Sequence, residues 1–159
     1  MKNQVLGAAS LIACLALPSF ALSAPVLSSQ DQCASCAMWI TKYPGPKGAV
    51  ELTDGTVQKF CSARGAACGW AKAQAEGKAG VLWMHDAGVE DWKSPRNETM
   101  FDAREAWFVY GSLQKAVMGP SLAPFADEAQ ARDFQKRYGG KIYRLKDLTA
   151  ETLGCGAKY

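Results

Sequence analysis

At 159 residues and a formal net charge of +3, the chain suits one compact unit or two very small ones. Lys and Arg are scattered among Asp and Glu, with no basic stripe interleaved with aromatics, which argues against nucleic-acid binding. A hydrophobic content of 48% fits a soluble globular protein.

Residues 1–24 read as a signal peptide. Lys2 supplies the positive start, Val5 to Leu17 is small and apolar, and Ala21-Leu22-Ser23-Ala24 offers a cleavage site. The apolar run is too short for a membrane span, which needs about 20 residues. Leu11-Ile12-Ala13-Cys14 also fits a bacterial lipobox, which would make Cys14 a lipid anchor. The sequence stays apolar after Cys14, which favours cleavage near Ala24. The expected compartment is the periplasm.

Residues 25–32 form a polar lead-in expected to be flexible. Met38, Trp39, Ile40 and Thr41 suit a strand across 37–43. Pro44-Gly45-Pro46-Lys47-Gly48 reads as a turn. Two short segments, 49–52 and 56–60, flank Asp54-Gly55, a strong hairpin signal. Ser62 can cap a helix whose apolar face carries Ala67, Trp70, Ala71 and Gln74, ending at Gly77. Val81 to Met84 follows as a strand.

Residues 86–99 read as a polar loop. Trp107 to Tyr110 is a strand by residue type, and 111–124 is loop-rich. Asp127 and Gln130 resemble a capping box before a helix with Ala131, Phe134 and Tyr138 on one face. Gly139-Gly140 ends it, and 141–145 returns as a strand. The expected fold is α+β, in tandem strand–strand–helix–strand units: 33–85, then 86–148, with a tail at 149–159.

The chemistry concentrates in Cys33-Ala34-Ser35-Cys36-Ala37-Met38. Two thiols and a thioether are soft donors suited to Cu(I). The alternatives are a structural disulfide and a redox dithiol, the latter disfavoured because no strand precedes Cys33. Haem attachment is excluded, because Ala37 stands where His is required. On a strand, Cys36 and Met38 would share a face. Cys61 and Cys68 would lie about 10 Å apart along the first helix, too far to bond each other. They read as small core residues or as partners of cysteines elsewhere, and Cys155 as free or reaching back. His85, the only histidine, reads as a ligand or a hydrogen-bonded loop residue. Met118, beside Gly119-Pro120, reads as gap-filler or third soft donor. No Ser/His/Asp set, paired-carboxylate site or phosphate loop is present, so no catalysis is expected.

Further segments align in order with one known pattern. They include Cys33-x-x-Cys36-x-Met38, Tyr43-Pro44-Gly45-Pro46-Lys47, Phe60-Cys61-Ser62, His85-Asp86, Phe101-Asp102-Ala103, Val117-Met118-Gly119-Pro120, Leu122-Ala123-Pro124-Phe125-Ala126 and Tyr138-Gly139-Gly140. With these the chain resembles the NosL family, periplasmic copper accessory proteins of nitrous oxide reductase. The resemblance implies tandem strand–strand–helix–strand units and one bound Cu(I). It implies delivery toward the reductase's copper centres with a membrane transporter system, by a chain expected to be a monomer. It carries copper binding to Cys36, Met38 and Met118, with His85 as a further candidate and Cys33 joining or guarding the site. The alternative function is a thiol–disulfide oxidoreductase using Cys33 and Cys36. Two departures stand out: Ala37 replaces the family's usual glycine, and Ala87 stands where methionine is common. Many members are lipoproteins, which strengthens the Cys14 reading. Cys68 and Cys155 lie outside the family pattern.

Overall fold

The computed structural model describes residues 23–156. The expected signal peptide up to residue 22, including Cys14, and the last three residues of the tail lie outside this range.

Strand β1 (Gly48–Leu52) turns through Asp54-Gly55 into β2 (Val57–Phe60). Gly55 takes φ +83° there, and Asp54 Oδ1 accepts from the Thr56 N–H. The pairing runs from Gly48 opposite Phe60 to Glu51 opposite Val57. Helix α1 (Ala63–Ala75) starts at Ser62, whose hydroxyl accepts from the Gly65 N–H. Its apolar face packs on β1 and on β3 (Ala79–His85). Strand β4 (Met100–Asp102) completes a four-stranded antiparallel sheet ordered β2-β1-β3-β4.

A second antiparallel sheet is ordered β6-β5-β7. It comprises β5 (Trp107–Tyr110), β6 (Leu122–Phe125) and β7 (Lys141–Arg144). Helix α2 (Glu128–Tyr138) covers it, capped by Asp127 Oδ1 accepting from the Gln130 N–H. Short α3 (Ala150–Leu153) packs against α1. The fold is α+β, as expected. Phe108, Leu122 and Leu153 join Val50, Leu82 and Met84 in one buried cluster, so the two sheets share a core.

Three expectations need correction. Residues 37–43 are not a strand: Trp39 makes a single bridge to Gln32, and Ile40–Lys42 winds into a 3-10 turn. The chain folds back at Ala37, which takes φ +58°, so its backbone groups bond within the turn instead of along a ladder. The lead-in is pinned at Leu27, which is buried and exchanges two hydrogen bonds with the Asn97 side chain. Residues 111–124 yield β6, an edge strand, where Pro124 removes no needed ladder donor.

Candidate metal centre

The segment 33–38 forms a tight loop against the end of the first hairpin. The Cys33 N–H donates to the Met38 carbonyl, and the Ala37 N–H donates back to the Cys33 carbonyl, each at 2.9 Å. The Ala34 N–H donates to the Lys59 carbonyl, fastening the loop to β2. Lys59 and Asp31 add an ion pair at 2.8 Å. Phe60 ends β2, and Cys61 occupies the corner between that strand and the capping Ser62. The corner turns the Cys61 thiol toward the loop.

The sulfurs of Cys33, Cys36 and Cys61 all lie within 4.8 Å of one another. The Cys36 and Cys61 sulfurs are 3.6 Å apart, and Cys33 Sγ is 3.3 Å from Ser35 Oγ. Cys33 and Cys61 are buried, whereas Cys36 is half-buried. The adjoining Cys61 thiol pulls the ionisation of Cys33 well below the ordinary thiol range, against the effect of burial. Cys61 itself is pushed up, first by Cys33 and then by burial. The two thiols titrate as a pair rather than separately. Such a group can accept a soft cation, whose charge relieves the crowding of thiolates.

Lys47 lies behind this group. Its ammonium is buried and donates to the carbonyls of Tyr43, Pro44 and Gly45 at 2.5, 3.1 and 2.7 Å. Burial lowers it to about 8, and the charge of Cys61 works the other way.

Cys36 and Cys61 open onto a cleft of about 710 Å³, also lined by Phe60, Arg64 and Met118. The Cys68–Cys155 disulfide forms part of the same wall. It fixes both residues as partners, which spacing alone had left open. Met118 thus comes to the cleft from the loop between β5 and β6. Met38 is half-buried and lies outside the cleft lining. Because 33–38 is a loop, the shared strand face expected for Cys36 and Met38 does not exist.

His85 sits elsewhere. It is buried at the end of β3, and its Nδ1 accepts from the Lys47 N–H at 3.1 Å. Its Nε2 has no hydrogen-bond partner among the described residues. It lines a separate cavity of about 110 Å³ with Lys47, Lys93 and Asn97, and it is not part of the close sulfur group. Burial, then the charge of Lys47, lowers His85 to about 4. Cys61, by contrast, joins the group although its sequence position suggested core. Its one available signal was its place in Phe60-Cys61-Ser62, immediately before a helix cap.

The model of the NosL family matches residues 25–153. The chain belongs to the NosL family. Copper-binding lipoprotein NosL of Stutzerimonas stutzeri is 35% identical over 123 residues, covering 77% of this chain and 64% of the relative. The protein of the same name from Achromobacter cycloclastes is 28% identical over 118 residues, covering 72% and 61%. The chain thus spans less than two thirds of the length of these NosL relatives. The crystal structure of the copper chaperone NosL from Shewanella denitrificans matches with a TM-score of 0.76 at 32% identity. That match covers 81% of this chain and 97% of the other.

Proposed function

We propose that this chain is a periplasmic Cu(I) carrier, without catalysis of its own, that passes copper toward maturation of nitrous oxide reductase. The observation that carries this reading is the trio of cysteine sulfurs within 4.8 Å of one another, two of which, Cys36 and Cys61, line a cleft. Soft thiolates suit Cu(I) over hard cations. The names of the relatives, copper-binding lipoprotein and copper chaperone, support the choice of metal. Cys36 and Cys61 supply thiolates, Met118 closes the site, and Cys33 adds or guards from behind. Met38 remains a supporting donor through the loop. His85 acts at most during transfer. The partners are the reductase assembly machinery, including its membrane transporter system, with the carrier acting as a monomer. A lipid on Cys14 would hold the chain at a membrane surface, as the relatives' names support.

A competition titration of the reduced protein tests the reading, with zinc as rival metal and a thiol-exchange assay in parallel. One Cu(I) per chain is expected, held more tightly than zinc. Cys36→Ser and Cys61→Ser should abolish binding, Met118→Ala and Met38→Ala should weaken it, and His85→Ala should leave affinity nearly unchanged. Tighter zinc binding ends the copper reading. Thiol-exchange turnover by Cys33 and Cys36 without copper binding would favour the oxidoreductase alternative. Delivery is tested by copper transfer from the loaded chain to copper-free nitrous oxide reductase with its assembly partners. Intact mass of membrane-fraction protein decides between cleavage near Ala24 and a diacylglyceryl adduct on Cys14.

A further inference from the structure

Arg64 is the second residue of α1 and is 6% exposed. Its guanidinium joins three distant carbonyls. Nε donates to Leu153 and Nη2 to Gly154, each at 2.7 Å, while Nη1 donates to Met118 at 2.8 Å. Leu153 and Gly154 end α3, where helix carbonyls lack partners of their own. The next residue, Cys155, bonds Cys68, which lies four residues beyond Arg64 on α1. Met118 has φ +67°, a left-handed backbone that a methionine rarely adopts without something to hold it.

We infer that Arg64 is the positioning residue for Met118, holding the backbone of that loop so that Met118 stays in the wall of the sulfur cleft. The Cys68–Cys155 disulfide keeps the other two carbonyls against the same guanidinium. The inference rests on the copper-binding reading and on Met118 as a donor within it. The planar fork matters because its three nitrogens reach carbonyls of two separate segments, whereas a single ammonium serves only carbonyls gathered around one point, as Lys47 does with the consecutive residues 43–45. Fixing the donor before the metal arrives spares the ordering cost at binding. Outer residues that orient a ligand are typically worth about 10- to 100-fold in metal affinity.

The test measures Cu(I) affinity for the wild type, Arg64→Lys, Met118→Ala and the double variant, each checked for fold by circular dichroism. Arg64→Lys should weaken binding by about 10- to 100-fold. In the Met118→Ala background the same change should cause no further loss, since no donor remains to be positioned. A purely structural staple between α1 and α3 would lower thermal stability but leave affinity unchanged. That result, or losses that add in full, overturns the inference while leaving copper binding intact. A Met118→Ala variant that binds like the wild type removes the donor assignment, and this inference with it. Should Arg64→Lys fail to fold, the Cys68→Ser/Cys155→Ser variant takes its place in the same comparison. It should also weaken Cu(I) binding, and again without effect in the Met118→Ala background.

Discussion

Ala37 holds a left-handed backbone, φ +58°, in the middle of the cysteine loop. For an L-residue with a Cβ this conformation costs about 1–2 kcal/mol, whereas glycine adopts it freely. The family's usual glycine at this position thus has a plain steric reason. Ala37→Gly should stabilise the fold by about 0.5–1 kcal/mol once the added freedom of the unfolded chain is counted. Urea denaturation of the two proteins checks it. His85 makes an opposite kind of demand. Its folded value of about 4 lies below the 6.5 of an unperturbed histidine. The unfolded chain therefore takes up a proton that the folded chain refuses. This contribution to stability is complete above about pH 6.5 and is lost as the pH falls toward about 4. Lys47 and Lys93, which share its cavity, offer the imidazolium no compensating negative charge. Between about pH 7 and 4 the wild type should lose roughly 3 kcal/mol more than His85→Gln. Equal losses in parallel denaturation curves would contradict the burial argument.

Helix α1 contains a glycine that helix propensity alone would replace. A Cβ on Gly69 would stand 2.3 Å from Cζ of Phe60 and 2.9 Å from its Cε2. Phe60 is itself buried, 3% exposed, and forms a wall of the cleft. Gly69→Ala gains about 1 kcal/mol of propensity but overpacks a filled site, at a cost of about 1–3 kcal/mol. The expected net is a loss of roughly 1 kcal/mol, with the cleft disturbed, as thermal melts and Cu(I) affinity together would reveal. Elements whose ends carry local chemistry were legible in the sequence: the Asp54-Gly55 hairpin, the Ser62 cap and the Asp127–Gln130 cap. Strands β4 and β6 were not, since one has three residues and the other contains Pro124. The site divides along the same line. Cys33 and Cys36 announce themselves by spacing. Cys61 lies 25 residues beyond Cys36, and only the packing of the loop on β2 brings it near. Likewise Trp39 and Ile40 have the side chains of a strand, but Ala37 turns the chain before one can form.

The two sheets share one buried cluster, and the Cys68–Cys155 disulfide fastens its far edge by joining α1 to the chain end. The bonded residues are 87 apart in sequence, so the bond removes much freedom from the unfolded chain. Cys68→Ser/Cys155→Ser should lower unfolding free energy by roughly 4 kcal/mol. Guanidinium denaturation measures this, and a change under about 1 kcal/mol would mean the unfolded chain is already compact there. The uneven burial of the three sulfurs bears on the proposed release of Cu(I). Cys33 and Cys61 are covered, so an approaching acceptor meets Cys36 first. A held Cu(I) ion would then trade one bond at the rim while the covered sulfurs keep their grip. Unloading becomes a handover rather than a leak. Its speed should follow the concentration of the receiving thiol, and simple dilution of the loaded protein should release almost nothing.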